Sequence, residues 1–312
     1  MELNFACNYP FTEEAKQAII ENDIQINDEI AERGVKRIVA ALNNEARPAN
    51  PVHISDQLIE IGSYGAARML LAHLKNRYLT NKFAVAEAKK ASAKMANEST
   101  KNLEKLQEEL GISPEEFEGK MVLPVEVYVH FAPKSIDYRL INRNIKGGFV
   151  QISQRELIRL IEEGIKMKVE QVGRFPNAPE IIKRYSQELM GLVPKTAPVK
   201  MSFKEGENPP CIEKLLEVAK KHQNLGHQGR WALVVYLINK GMPYEKILQI
   251  YSNFPDYSQR IASYQIKHAI KRGYAMPSCS MMLSYGLCVA NCKCGSPINW
   301  KPRGERWKKK SN

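Results

Sequence analysis

The sequence predicts a mainly α-helical protein of two domains, and three observations support this fold class. Apolar residues recur at helical spacing through much of the N-terminal part. Residues 191–210 hold four prolines and two glycines without periodicity, which is typical of a linker. Residues 1–200 carry 28 Lys and Arg against 27 Asp and Glu, a net charge of +1, whereas residues 201–312 carry 18 against 7, a net charge of +11. We therefore predict domains over residues 1–195 and 208–312.

The N-terminal domain is predicted to be mainly helical. Residues 12–42 and 55–78 show helical periodicity, and residues 81–110 are rich in Ala, Lys, Glu and Leu. Gly111 is expected to end this last helix. The charge pattern of residues 81–110 predicts that one face of the helix is exposed to solvent. Ser113-Pro114-Glu115-Glu116 has the sequence of a capping box and predicts the start of another helix.

A small α/β insert is predicted at about residues 120–152. In residues 125–131, VEVYVHF, branched and aromatic residues alternate with polar ones, which predicts a half-buried strand. Residues 136–143 and 148–152 predict two more strands. A second capping box, Ser153-Gln154-Arg155-Glu156, predicts a helix that runs to about residue 170.

The C-terminal domain is predicted to be helical at first and rich in loops afterwards. Helices are expected near residues 211–222, 228–240, 243–252 and 260–271, and little regular pattern follows residue 275. A unit this short and irregular often needs a metal ion or cluster to hold it together.

Composition narrows the class of function. No apolar run approaches the length of a membrane span, and the N-terminus lacks the pattern of a secretory signal, so we expect a cytoplasmic protein without a membrane partner. The concentrated positive charge of the C-terminal domain points to a polyanion, most commonly nucleic acid, although a merely basic soluble domain is the alternative.

Five of the six cysteines lie in the C-terminal domain: Cys211, Cys279, Cys288, Cys292 and Cys294. With one ligand at the start of the domain and the others near its end, a metal site would link the two ends of the domain. Four thiolates can hold either zinc or an iron–sulfur cluster, and the spacing alone slightly favours zinc. Five ordinary buried thiols in so short a stretch would be improbable. Cys7, by contrast, is expected to pack in a core.

The segments around these cysteines resemble the C-terminal domain of the large subunit of archaeal and eukaryotic-type DNA primase. The matching segments, in the same order, are NPPCIEKLL (208–216), NLGHQGRWALVVYLINKGM (224–242), YQIKHAIKRGYAMPSCSMMLSYGLC (264–288) and CKCGSPINW (292–300). Weaker similarity to the helical domain of that family extends through the N-terminal part.

The resemblance implies a 4Fe–4S cluster. Cys211, Cys279 and Cys288 match the family's ligands directly, and Cys292 is the preferred fourth ligand. Cys294 is the alternative, because the loop after Cys288 is shorter here than is usual in the family. The C-terminal domain is then expected to be a helical iron–sulfur domain.

Two groups of residues are expected to bind nucleic acid or the 5′ phosphates of a primer. His227 and Arg230 share one face at the start of a helix, where phosphate binds readily. Tyr264, Lys267 and His268 lie one turn apart on another helix and offer stacking and positive charge. From the residues alone, a capping His, a solvated Arg and a core Tyr are the competing interpretations, and the resemblance favours binding.

The basic C-terminal end, NWKPRGERWKKKSN, has two interpretations of equal weight. Trp300 and Trp307 stand among six Lys or Arg residues, a pattern that suits single-stranded nucleic acid. A disordered basic tail would show the same pattern.

The resemblance implies a non-catalytic subunit that binds the DNA template and RNA primer and assists a small catalytic subunit in a heterodimer. The chain has only five aspartates and no D-x-D pair, whereas nucleotidyl transfer typically uses clustered carboxylates and two metal ions. No catalytic residue is therefore predicted. The alternatives are an iron–sulfur or zinc DNA-repair enzyme and a zinc-containing RNA-binding module.

Overall fold

The structure, a computed structural model, describes residues 3–45, 51–173, 177–192 and 206–302. The chain forms two compact units. Unit 1 comprises Met1–Pro133 and Leu140–Lys195, and unit 2 comprises Lys134–Arg139 and Thr196–Asn312. Most of the predicted linker and the basic end from residue 303, with Trp307, lie outside the described residues.

Unit 1 is mainly helical, as predicted. Its described part contains nine α-helices: α1 (Leu3–Asn8), α2 (Glu13–Glu21), α3 (Asp28–Asn43), α4 (Ile54–Leu74), α5 (Arg77–Met95), α6 (Thr100–Leu110), α7 (Val125–Phe131), α8 (Gln154–Glu170) and α9 (Glu180–Leu192). Helix α3 packs on α4, and α5 packs on α8.

Local signals divide the long predicted helices into shorter ones. The Asn27 side chain accepts a hydrogen bond from the Ile30 amide at 2.9 Å, so α3 begins separately from α2. Lys75 takes a left-handed conformation, with φ of 51°, and ends α4. The Ser99 hydroxyl caps α6. The predicted stop at Gly111 is confirmed, because this glycine adopts φ of 68° after α6.

One antiparallel sheet forms the insert, with strand order β1-β2-β4-β3. Its strands are β1 (Glu115–Phe117), β2 (Lys120–Pro124), β3 (Ile145–Lys146) and β4 (Phe149–Gln151). Glu118 and Gly119, with φ of 53° and 71°, make the tight turn between β1 and β2. The predicted helix start at Ser113 is therefore wrong, because this turn draws Glu115 and Glu116 into a hairpin. The predicted strand at 148–152 is confirmed as β4.

The predicted strand at residues 125–131 is wrong, since these residues form α7. Tyr128 is its only fully buried residue, and Val125 and Phe131, one turn to either side, are half-buried. A seven-residue apolar run therefore fits a helical face as well as a strand. Residues 136–143 form two short 3-10 helices, Ile136–Tyr138 and Leu140–Asn142, and not a strand. The capping box at Ser153 and Glu156 is confirmed at the start of α8.

The core of unit 1 contains buried charge as well as apolar side chains. Arg37 of α3 donates to both carboxylate oxygens of Glu87 in α5, at 2.9 and 2.8 Å. Arg37 also contacts Glu60 and Ser63 of α4. These bonds satisfy a guanidinium that burial would otherwise penalise. The expectation of a solvated face at 81–110 is therefore wrong for α5, although it suits the more exposed α6. Cys7 is buried in the core, as expected.

In its described part unit 2 is α-helical, apart from loops, the 3-10 helix Ile136–Tyr138 and a final 3-10 turn. Its helices are α10 (Pro210–Lys220), α11 (His227–Asn239), α12 (Tyr244–Ser252), α13 (Gln259–Arg272) and α14 (Cys279–Ser284), and residues Pro297–Asn299 form the 3-10 turn. The four predicted helices are confirmed as α10 to α13, and the protein is mainly α, as predicted.

Helix α11 lies at the centre of unit 2. It contacts α10, α12, α13 and the 3-10 turn, and residues Ala232–Leu237 along its length are buried. A helix that is apolar all round needs such a central position. Its first turn and its C-terminal end from Ile238 are partly exposed. None of the described helices combines the length and apolar character needed to cross a membrane.

Candidate functional site

The cysteines of unit 2 come from the two ends of its fold. Cys211 lies in the first turn of α10 and is 8% exposed, and Cys279 begins α14. The other three, Cys288, Cys292 and Cys294, follow α14 in a loop, and all four late cysteines are half-buried. The Cys279 amide donates to the Gly295 carbonyl at 2.8 Å, so this loop folds back on the start of α14.

The five thiols gather at one place. The pKa of Cys211 is raised to about 12, mainly by burial and in addition by charge repulsion from the nearby Cys288, Cys292 and Cys279, against a backbone hydrogen bond that lowers it. Burial also raises the pKa of Cys279, together with a hydrogen bond and charge from Cys294, whose Sγ lies 3.5 Å from its own. Thiolates crowded in this way need a bound cation or cluster to become stable.

The chemistry of this donor set suits a thiophilic metal group. Soft sulfur donors select zinc, copper(I) or iron–sulfur clusters. Among the residues that the structure describes, no three His, Cys, Asp or Glu side chains are arranged to hold a single metal ion. A buried amide lies near the thiols: Asn208 stands three residues before Cys211, and its Nδ2 has no hydrogen-bond partner in the part of the chain that the structure describes.

A second feature of unit 2 is a pocket of about 260 Å³ between α11 and α13. Its walls combine positive, aromatic and apolar side chains. They are His227, Arg230, Trp231, Val234, Tyr251, Tyr264, Gln265, His268, Ala269 and Tyr274. Gly226 occupies the N-cap of α11 and offers no side-chain cap, so the first amides of this helix remain available to an anion.

Arg230 is held rigidly at this pocket. Its Nη2 donates to both oxygens of Asp256, at 2.6 and 2.7 Å, and also bonds to the Asn224 side chain. Its Nε donates to the Leu225 carbonyl at 2.9 Å, and the guanidinium lies 5.0 Å from the centre of the Phe254 ring. Nη1 takes no part in these bonds. The side chain therefore offers Nη1 to a ligand, while Nε and Nη2 are fixed by the fold.

A row of rings extends from the pocket across the surface. Tyr264, which is 70% exposed, stacks on His268 with centroids 6.0 Å apart and an interplanar angle of 21°. His268 contacts Tyr274 at 6.1 Å, and Trp231 contacts both Tyr274 and Tyr285. We call these five residues the aromatic row. Tyr264 and Tyr274 are exposed and the other three rings are half-buried. An exposed ring such as Tyr264 can stack on a base of single-stranded nucleic acid.

Four of the five residues predicted to bind nucleic acid meet in the pocket: His227, Arg230, Tyr264 and His268. The fifth, Lys267, does not line it, and its Nζ lies 5.5 Å from the Tyr244 ring centre instead. Lys267 still contributes to the charge of α13, which contains Arg260, Lys267, Lys271 and Arg272 and no acidic residue.

Sequence reasoning missed Trp231, Tyr251, Gln265 and Tyr274. Helical spacing could have found Trp231, because it lies four residues after His227 and so shares its face. Tyr274 lies beyond the end of α13, where periodicity carries no information.

Comparisons with known proteins all find similarity to the large subunit of DNA primase. Residues 201–298 match the family model for the C-terminal domain of the large subunit of eukaryotic and archaeal DNA primase. The chain is 27% identical over 307 residues to a DNA primase large subunit of Methanocella arvoryzae, an alignment that covers 91% of this chain and 83% of that protein. It is 28% identical to the large subunit of Methanosarcina acetivorans, with 95% and 86% covered. The corresponding protein of Halobacterium salinarum is 26% identical, with 90% and 87% covered.

Proposed function

Since the chain belongs to the family of eukaryotic and archaeal DNA primase large subunits, we propose that its unit 2 binds the DNA template and the 5′ end of the RNA primer, or the initiating nucleotide. The chain is a non-catalytic large subunit that acts in DNA replication. The observation that carries the proposal is the pocket in which Arg230, His227 and the first turn of α11 meet the aromatic row.

The proposed division of labour follows from the chemistry of these groups. Phosphate oxygens bind to Nη1 of Arg230, to His227 and to the first amides of α11, because each offers N–H donors to an anion. Tyr264 and His268 stack on bases, and the positive charge of α13 draws the sugar-phosphate backbone toward them. A template strand and a phosphorylated end are thus held side by side.

We also propose that Cys211, Cys279, Cys288 and Cys292 hold a 4Fe–4S cluster. Support comes from the all-thiol donor set and from the three cysteines that lie close enough to Cys211 to raise its pKa. The Nδ2 donor of Asn208, which has no partner among the described residues, is further support. Each thiolate of such a cluster binds a different iron, so Cys279 and Cys294, with sulfurs 3.5 Å apart, do not fit as two separate ligands. A bound cluster would cross-link α10 to the C-terminal loop and supply a one-electron redox centre.

Unit 1 is proposed to dock the small catalytic subunit in a heterodimer. The large subunit would then assist initiation by positioning. Holding a template and an initiating nucleotide near the partner's active site converts a reaction between separate molecules into a nearly intramolecular one. A replication subunit of this kind is expected to act in the cytoplasm, in association with the chromosome.

A binding experiment with the full chain tests the role of the pocket. Because Arg230→Ala alone would leave Asp256 unpaired, we compare Arg230→Ala/Asp256→Asn with Asp256→Asn. Affinity for a template annealed to a 5′-triphosphate primer should fall by about 10- to 100-fold, as expected for loss of a charge-assisted hydrogen bond. Affinity for a primer that ends in a 5′-hydroxyl should fall much less. Fluorescence anisotropy measures both.

The control is Lys214→Ala, which removes an exposed cation of α10 that does not line the pocket. This change should weaken binding of both primers slightly and equally. Equal losses for the two primers in the Arg230 variant, with its circular dichroism spectrum unchanged, would contradict a role in recognising the 5′ end.

A further inference from the structure

Asn208 is a buried amide with only half of its hydrogen bonds made. The residue is 5% exposed, and its Oδ1 accepts a hydrogen bond from the Tyr236 hydroxyl at 3.0 Å. Its Nδ2 is buried and has no partner among the described residues. A buried N–H₂ group without an acceptor is unfavourable, because it has lost its hydration and gained nothing in exchange. An apolar side chain would avoid this cost.

The fold fixes this amide in place. Asn208 is followed by Pro209 and Pro210, and Pro209 adopts φ of −62° and ψ of 146° at the N-cap of α10. Two prolines in succession restrict the backbone between Asn208 and Cys211. The hydroxyl of the fully buried Tyr236 holds Oδ1, which fixes the orientation of the amide. The donor is therefore positioned in advance of any ligand.

The thiols lie in the same neighbourhood. Cys211 and Tyr236 belong to one buried cluster of side chains, and Cys288 packs against that cluster. Asn208 thus bonds to one member of this cluster and precedes another by three residues. Groups around metal sites commonly donate hydrogen bonds to the ligands and so tune the metal.

We infer that Asn208 donates a hydrogen bond from Nδ2 to a sulfur of the 4Fe–4S cluster, and that it thereby tunes the cluster's reduction potential. The inference rests on the proposed cluster. A sulfur of the cluster is a negatively charged acceptor and supplies the partner that Nδ2 lacks. Reduction adds one electron to the cluster, so a donor strengthens its bond in the reduced form. Hydrogen bonds to sulfur are one of the factors that set such potentials.

The test is the midpoint potential of the full chain, purified without oxygen and titrated with its visible absorbance as the signal. Asn208→Leu removes the donor at similar volume. We expect the equilibrium to shift about tenfold toward the oxidised cluster, which is about 59 mV lower in potential for a one-electron couple. Tyr236→Phe frees the amide from its anchor and should give a smaller shift in the same direction. Gln249→Leu removes an exposed amide of α12 and should leave the potential unchanged.

A second measurement covers the case in which Asn208→Leu fails to hold the cluster. Pulsed EPR of the reduced wild-type chain, labelled with ¹⁵N in its asparagine side chains, should detect a weak coupling between the cluster and an amide nitrogen. A wild-type cluster without this coupling, or equal potentials in wild type and Asn208→Leu at full iron content, would overturn the inference and leave the proposed cluster intact. A wild-type chain purified with zinc and no iron would overturn both.

Discussion

Arg230 illustrates how a residue can be both structural and available for binding. Asp256, Asn224 and the Leu225 carbonyl hold two of its nitrogens, and Nη1 remains for a ligand. A guanidinium fixed in this way loses little rotamer freedom when it grips a phosphate. Neither the charge pattern nor the sequence spacing of H-x-x-R reveals this, because Asp256 lies 26 residues away.

Cys292 and Cys294, which lie two residues apart in the C-terminal loop, should behave differently. Cys292→Ser is expected to lower the iron content and the thermal stability of unit 2, because it removes a proposed ligand that ties the loop to α10. Cys294→Ser should change neither, because Cys294 pairs with Cys279 and lies outside the proposed ligand set. Iron analysis and thermal unfolding of the two variants, purified without oxygen, measure the difference. Loss of iron in Cys294→Ser alone would exchange their roles.

At the scale of elements, the start of α8 depends on Glu156. Its carboxylate accepts from the Ser153 amide and hydroxyl, at 2.8 and 2.9 Å, and pairs with Arg143. Burial works to raise the pKa of Glu156, but the bonds from Arg143 and Ser153 outweigh it and hold this pKa below its usual range. A carboxylate whose pKa is lower in the folded state stabilises the protein above its unfolded pKa and loses that contribution as the pH falls.

Glu156→Gln should therefore destabilise the protein at pH 7 by about 1 kcal/mol, as for the loss of a helix cap. The difference from wild type should shrink as the pH falls below about 4.5, the ordinary pKa of a glutamate. Urea unfolding at several pH values measures this. Glu188→Gln, an exposed change on α9, serves as the control. A difference that stays constant down to pH 3 would show that the charge of Glu156 is not involved.

Neighbouring residues of α3 give a contrast between buried and exposed ion pairs. Arg37 and Glu87 are 2% and 4% exposed, so Glu87→Gln leaves a buried guanidinium with a weakened set of partners. The free energy of unfolding should fall by about 3 kcal/mol. Lys36 pairs with Glu32 at the surface, and Lys36→Ala should cost less than about 0.5 kcal/mol. Similar losses in urea unfolding would contradict this account of the core.

The sequence predicts the helices of both units better than the sheet of the insert, for physical reasons. Helix starts at Ser153 and the stop at Gly111 depend on local capping, which a short stretch of sequence contains. Residues 125–131 are ambiguous because their apolar pattern suits either a strand or a short helix. The burial of α5 is set by its packing on α8, a contact between distant parts of the chain. Its charged residues therefore suggest an exposed helix when only the local sequence is considered.

The candidate site could likewise be predicted only in part, because the local sequence does not show which distant segments come together. The spacing of His227 and Arg230 on one helix, and of Tyr264 and His268 on another, predicts two faces. Only the fold shows that the two faces line one pocket, with Trp231 and Tyr274 beside them. Lys267 lies beside the Tyr244 ring of another helix and does not line the pocket, which its spacing on α13 does not reveal.

For the whole molecule, the proposed division of roles predicts that the chain makes no primers alone. Primer synthesis requires clustered carboxylates for metal ions, which the partner subunit is proposed to supply. Addition of the small catalytic subunit should start synthesis on a single-stranded template, and incorporation of labelled nucleotides measures it. The Arg230→Ala/Asp256→Asn chain should support less initiation than the Asp256→Asn chain. Metal-dependent dinucleotide synthesis by the highly purified single chain would contradict the proposal.

The central position of α11 has a kinetic consequence. The helix is buried along Ala232–Leu237, and its first turn carries His227 and Arg230. The amide hydrogens of its buried part should exchange with solvent only when the whole of unit 2 opens, and so should be among the slowest in that unit. Arg230 is already held by Asp256, Asn224 and the Leu225 carbonyl before a ligand binds. Association should therefore follow a single concentration-dependent phase, with a rate set by diffusion and charge and not by a preceding conformational step.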